Sequence, residues 1–170
     1  MKYPIGIQNF EKIRKDGYVY VDKTALVYRI ATEGAYYFLS RPRRFGKSLL
    51  LSTFEAYFEG KKDLFEGLAI SKQERDWNEY PILHLDLNTR EYKDGQSLKD
   101  ELNKHLEKWE ALYGDKYKDR NVEERFFQII ELAYKKTGRQ VVILVDQWSN
   151  IGCIDGDETG ICLIDEYHRV

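Results

Sequence analysis

Gly46, Lys47 and Ser48, in the stretch SRPRRFGKSLL from Ser40 to Leu50, have the types and spacing of a phosphate-binding loop that runs into a helix. In such a loop, successive backbone N–H groups at a helix amino terminus point inward at anionic oxygens, and the helix dipole favours the same negative charge. The common pattern is G-x-x-x-x-G-K-[ST], in which the lysine reaches the β and γ phosphates and the hydroxyl ligates magnesium. Arg41 stands where the pattern has its first glycine. That position is at a strand exit rather than beneath the phosphates, so arginine is tolerated there if its φ stays negative. Pro42 disfavours helical angles in the residue before it and keeps Arg41 extended.

A bare G-K-[ST] arises by chance in about one chain in ten of this length. Context makes coincidence less common. AYYFLS (35–40) is a nearly unbroken apolar and aromatic run, expected to be a strand buried on both faces of a parallel sheet. KSLLLSTFEAYFEG places Leu50, Phe54, Tyr57 and Phe58 near helical spacing, with Gly60 suited to the stop. Further on, RQVVILVDQW is the best parallel-strand signal in the chain and ends on Asp146. The bland alternative makes Arg41, Arg43 and Arg44 a solvated basic turn and Ser48 a helix N-cap.

The remaining elements must position these residues. Tyr18 to Val21 reads as a short strand, and a helix runs from about Asp22 to Gly34. A short helix around Asp63 to Ile70 leads to ILHLDLN, a second buried strand with Asp86 near its carboxyl end. Leu98, Leu102, Leu106, Trp109 and Leu112 recur every three or four residues, the pattern of an amphipathic helix. A second such helix begins at Asn121, with Glu124 at capping-box spacing; Lys135 and Lys136 suit its negative end and Gly138 closes it. Strands alternating with helices point to an α/β fold with a mostly parallel sheet flanked by helices.

The chain has 170 residues, 27 basic against 29 acidic, a net charge of -2, 42% hydrophobic and 14% aromatic residues. These values fit a folded domain and give no global sign of a nucleic-acid or anionic-membrane partner. Two cysteines, Cys153 and Cys162, argue against a secreted disulfide scaffold. No segment approaches the run of about eighteen apolar residues that a membrane span needs. A cytoplasmic protein is expected.

RPRRFGKS, with YPIGIQNFEKIRKDGYVYVDKT before it and YPILHLDLN after it, resembles a family of bacterial AAA-ATPase-like proteins. There the arginine-for-glycine loop is the usual form. The resemblance covers about Met1 to Asp146 and implies a P-loop domain over 1–146, with 147–170 a divergent acidic, glycine-rich tail. In longer members a nuclease-like domain of the PD-(D/E)XK type often follows. The resemblance implies ATP and Mg2+ as cofactors, held by Arg43, Arg44, Phe45, Gly46, Lys47, Ser48 and Leu49, with Ser48 and Asp146 at the magnesium ion. Lys47 and Asp146 would serve catalysis. Gln147 stands where relatives, reading LVDEYDKP, carry a catalytic glutamate. Glutamine can hydrogen-bond water but cannot take its proton, and general-base loss costs about a hundred- to ten-thousandfold. Binding with impaired hydrolysis is therefore expected. The resemblance also implies a strand inserted between the P-loop strand and the Asp146 strand. Only ICLID is left for it, so the chain reads as a truncated or rearranged member. The alternative is a non-catalytic interaction module whose basic loop contacts nucleic acid or a protein partner; a homo-oligomer is a further candidate partner, and nucleic acid enters only by family analogy.

The tail allows other readings. Asp155, Asp157, Thr159, Gly160 and Glu166 fit part of a calcium-loop template, against the plainer reading of an acidic turn between two strands. LIDEY can be read as a displaced acidic strand end with Asp165 and Glu166. Cys153, Cys162 and His168 match no zinc spacing. His84 and His105 default to packing or solvent roles.

Overall fold

A computed structural model describes residues 1–34, 36–40, 45–87, 95–114, 119–146 and 158–164, with backbone alone at 40 and 158–164. Helix α1 (Phe10–Lys15) is capped by the Asn9 side chain, which accepts from the Lys12 N–H. Residues Tyr18 to Val21 do not form the expected strand. They cross between helices, held by a Val19 N–H to Lys2 carbonyl bond and by Tyr20 stacked edge-on against Phe10. Helix α2 (Thr24–Glu33) follows and ends before Gly34. Strand β1 (Tyr36–Ser40) leads through residues 41–46 to helix α3 (Lys47–Phe58). Gly60, at φ 68°, ends the helix, and a side chain there would meet the Trp77 carbonyl at 2.9 Å. Where one short helix is expected there are two 3₁₀ turns, Lys62–Phe65 and Ala69–Lys72.

Strand β2 (Ile82–Asp86), helices α4 (Gly95–Tyr113) and α5 (Val122–Thr137) and strand β3 (Val141–Asp146) fall where the hydrophobic periodicity puts them. Asn121 accepts from the Glu124 N–H, and Gly138, at φ 64°, closes α5 in the left-handed conformation. Strand β4 (Glu158–Ile164) completes a four-stranded sheet in the order β1-β4-β3-β2. The strand from ICLID thus takes the inserted position, but it runs antiparallel to both neighbours. Because β4 opposes both β1 and β3, strands β1, β2 and β3 all run the same way. The sheet is mixed α/β in character and flanked by helices.

Two apolar layers meet at the sheet. On one face Val142 and Leu144 join Phe10, Val27, Leu51, Phe54 and Phe65 from α1, α2, α3 and the first 3₁₀ turn. On the other, Leu83, Leu85, Val141, Ile143 and Val145 pack with Leu106, Trp109, Ile129 and Ala133 of α4 and α5. This second layer covers β2 and β3 and stops short of β1, where Tyr36 is 76% and Phe38 60% exposed. Strand β1 is therefore an edge strand with one open face, not one buried on both. Leu112, counted in the apolar stripe of α4, is exposed, and Tyr113 packs in its stead. Among the described residues no helix is long and apolar enough to cross a membrane.

One buried ion pair fastens α4 to α5. Arg125 donates to both carboxylate oxygens of Glu110 at 2.7 and 2.8 Å, and to Asn103 Oδ1 at 2.7 Å. Removing one partner strands the other charge in the protein. Arg125→Ala is expected to lower unfolding free energy by about 3–5 kcal/mol in urea titrations, and replacing both Arg125 and Glu110 by apolar residues to cost less. A loss below about 1 kcal/mol for Arg125→Ala would place the pair with ordinary surface bridges.

Candidate functional site

The carboxyl ends of β1, β2 and β3 share one edge of the sheet, because the three strands have a common direction. Register makes the row explicit: Asp86 lies beside Asp146. Continuing across the antiparallel strand from the pairing of Val145 with Gly160, the same row passes through Thr159, which pairs with Leu39. Two rows back, His84 pairs with Leu144, and Leu144 belongs to the layer under α3. Side chains alternate across a strand, and register partners in a parallel pair share a face, so Asp86 and Asp146 project on the α3 side. Asp146 is 6% exposed.

Helix α3 starts at this same edge. Its N-cap is Gly46, at φ 75° in the left-handed region, where a side-chain-bearing residue is strained. No side chain caps the helix, and a Cβ at Gly46 would meet nothing within 4 Å. A helix start with a left-handed glycine N-cap and no side-chain cap is the local form that an anion-binding loop takes. Lys47 is buried at 8% exposure, Ser48 and Leu49 are half-buried, and Phe45 is 64% exposed. Ser48 sits inside the first turn, so the reading of it as the N-cap is overturned. Arg41, Pro42, Arg43, Arg44 and Gln147 lie outside the described residues.

The tail readings fare differently. Thr159 and Gly160 pair with Leu39 and Phe38 in extended strand, so Gly160 makes no calcium-loop turn. Strand β4 ends at Ile164 beside Val141, the sheet edge opposite Asp146, which removes the support for LIDEY as an acidic strand end like that of β3. Asp155, Asp157, Asp165, Glu166, Cys153 and His168 lie outside the described residues. Among the described residues no group of three or more histidine, cysteine or acidic side chains could hold a metal ion.

Sequence reasoning missed one contact. His84 Nδ1 is 3.2 Å from Glu55 Oε1, joining β2 to α3 beneath the site. Burial works against a charged His84, but the hydrogen bond to Glu55 and the carboxylates of Glu55, Asp86 and Asp146 raise its pKa overall. Glu55 is lowered, by the hydrogen bond to His84 against its own burial. The two residues are far apart in sequence and no local spacing marks them. His105 behaves as expected: its ring packs on Trp109, with Nε2 3.4 Å from the Asp86 carbonyl.

Comparison with known proteins gives the family of the chain. The family model described as "Predicted AAA-ATPase" matches residues 4–152. The chain belongs to the AAA-ATPase-like family. An "Uncharacterized protein in vnfD 5'region" from Azotobacter chroococcum mcd 1 is 40% identical over 149 residues, covering 86% of this chain and 29% of that protein. The AAA-ATPase-like chain thus spans less than a third of that relative's length. No solved structure matches it. Membership suggests nucleotide binding, with magnesium as the accompanying ion.

The His84 contact gives this AAA-ATPase-like chain a pH dependence. A raised histidine favours the fold below its ordinary pKa of 6.5, and that contribution is lost as pH rises through the folded value. A lowered Glu55 contributes above its ordinary 4.5 and is lost as pH falls through its folded value. In an NMR titration the His84 imidazole should titrate above 6.5 and shift down in Glu55→Gln. Coincident curves in the two proteins would contradict the pairing.

Proposed function

We propose that this chain binds ATP with Mg2+ at the sheet edge where α3 begins, and that it turns ATP over slowly. The observation that carries the reading is Gly46, left-handed and uncapped at the start of α3, with buried Lys47 next to it at the edge that holds Asp146. The residues present fit the group. Backbone N–H groups of residues 43–49 would cradle the phosphates, Lys47 would meet the β and γ phosphates, and Ser48 and Asp146 would hold magnesium. Bound Mg-ATP brings the phosphoryl group and the charge neutralisation that its transfer needs.

The protein's own contribution is positioning and electrostatics. Burial of Lys47 in a helix start keeps its ammonium in place, where its attraction to phosphate is less screened than at the surface. Asp146, the last residue of a strand buried along its length, is held with little freedom to move. Gln147 can orient a water but not deprotonate it, which makes turnover slow. Sparse cysteines and the lack of an apolar span fit a cytoplasmic setting. ATP would be the nucleotide by family analogy; a basic loop that only touches nucleic acid or a protein is the competing reading, with exposed Phe45 in its favour.

Thermal unfolding with Mg-ATP separates them. Wild type should melt several degrees higher at saturating nucleotide, as for any ligand that binds only the folded state. Lys47→Ala should lose that shift when compared with its own ligand-free melting temperature. Steady-state turnover should stay well below the typical 1 to about 1,000 per second of enzymes. No shift in wild type would favour the interaction module, and ordinary turnover would remove the claim of impairment.

A further inference from the structure

We propose that Asp86 is a catalytic residue: it supplies, from the neighbouring strand, the carboxylate that Gln147 does not. The proposal rests on the nucleotide reading above. Its basis is the register of β2 on β3, which sets Asp86 directly beside Asp146, on the same face and at the same sheet edge as the start of α3. Adjacent strands lie about 4.8 Å apart. For a nucleotide held beside Asp146, Asp86 would be the acid on the adjoining strand, the group to which an attacking water would lose its proton.

Other carboxylates are less suited. Glu55 is bonded to His84 and lies about 12 Å along α3 from Lys47, at 1.5 Å per residue. Glu11 and Glu59 are both bonded to Lys61, away from the strand ends. Glu101 pairs with Lys104, and Glu110 with Arg125, both on α4. Among the described side chains, Asp86 and Asp146 are the acids at the carboxyl ends of the parallel strands. Asp86 is held from behind by the His105 ring against its carbonyl and by the His84 to Glu55 contact two residues earlier. It is half-buried, so water can reach it.

In the step, the water oxygen forms its bond to the γ-phosphorus while the bond to the bridging oxygen breaks, and that oxygen departs on ADP with the electron pair. Asp86 accepts the water's proton and passes it to solvent. The carboxylate comes from a different strand than in relatives that read LVDEYDKP, so geometry is not ideal and turnover is slow.

The test compares wild type, Asp86→Asn and Asp86→Asn with Gln147→Glu. Two readouts are needed: affinity for Mg-ADP alone and with aluminium fluoride, which mimics the transferring phosphoryl group, and single-turnover hydrolysis of ATP. Asp86→Asn should bind Mg-ADP as wild type does, bind the aluminium fluoride complex at least about tenfold more weakly, and hydrolyse about a hundredfold or more slower. Adding Gln147→Glu should restore hydrolysis. Equal hydrolysis in wild type and Asp86→Asn would overturn the proposal. So would wild-type binding with hydrolysis no faster than Lys47→Ala. Failure of wild type to bind Mg-ADP at all would instead overturn the nucleotide reading and Asp86 with it.

Discussion

Burial of β3 on both faces is the constraint on which the structure depends. Val142 and Leu144 face the layer built by α1, α2 and α3, and Val141, Ile143 and Val145 face α4 and α5. Each such side chain contributes about 1.5–3 kcal/mol when fully removed from water, so the strand cannot slip by one residue without exchanging its two apolar sets. A fixed β3 fixes the register of β2, and that register places Asp86 beside Asp146. The polar ends of the strands are thus positioned by apolar contacts several residues away.

The same constraint explains where the helices go. Helix α3 packs on β3, and only residues 41–46 separate its start from the carboxyl end of β1. The His84 to Glu55 contact then joins β2 to the middle of α3. Among the described residues nothing comparable covers the outer face of β1, and Tyr36 and Phe38 are exposed there. The half of the sheet near β3 is packed on both faces, while β1 is held by its pairing with β4 and by Tyr37 against the first layer.

Legibility followed the strength of local signals. The run VVILVD and the amphipathic spacings of α4 and α5 identify their elements because burial there is set by short-range periodicity. Gly46 was readable as a turn into a helix since glycine accepts a positive φ. Tyr18 to Val21 misled because aromatic and β-branched residues suit a strand, yet here they cross between helices and pack by Tyr20. AYYFLS has the composition of a buried strand, but composition does not say how far a helical layer extends. The direction of β4 was equally hidden: residues 147–157 barely allow a parallel crossover, and an antiparallel return needs no helix. The pairing of Asp86 with Asp146 and of His84 with Glu55 joins residues remote in sequence, and only the fold brings them together.

The most direct measurement is the backbone amide spectrum of the protein titrated with Mg-ADP. Binding at the proposed edge should shift Gly46, Lys47, Ser48 and Leu49 most, with Asp146 and Asp86 next, and should leave Tyr36, Ile82 and Val141 at the far edge nearly unmoved. Shifts centred on the far edge, or on the exposed face of β1, would contradict a nucleotide held where α3 begins.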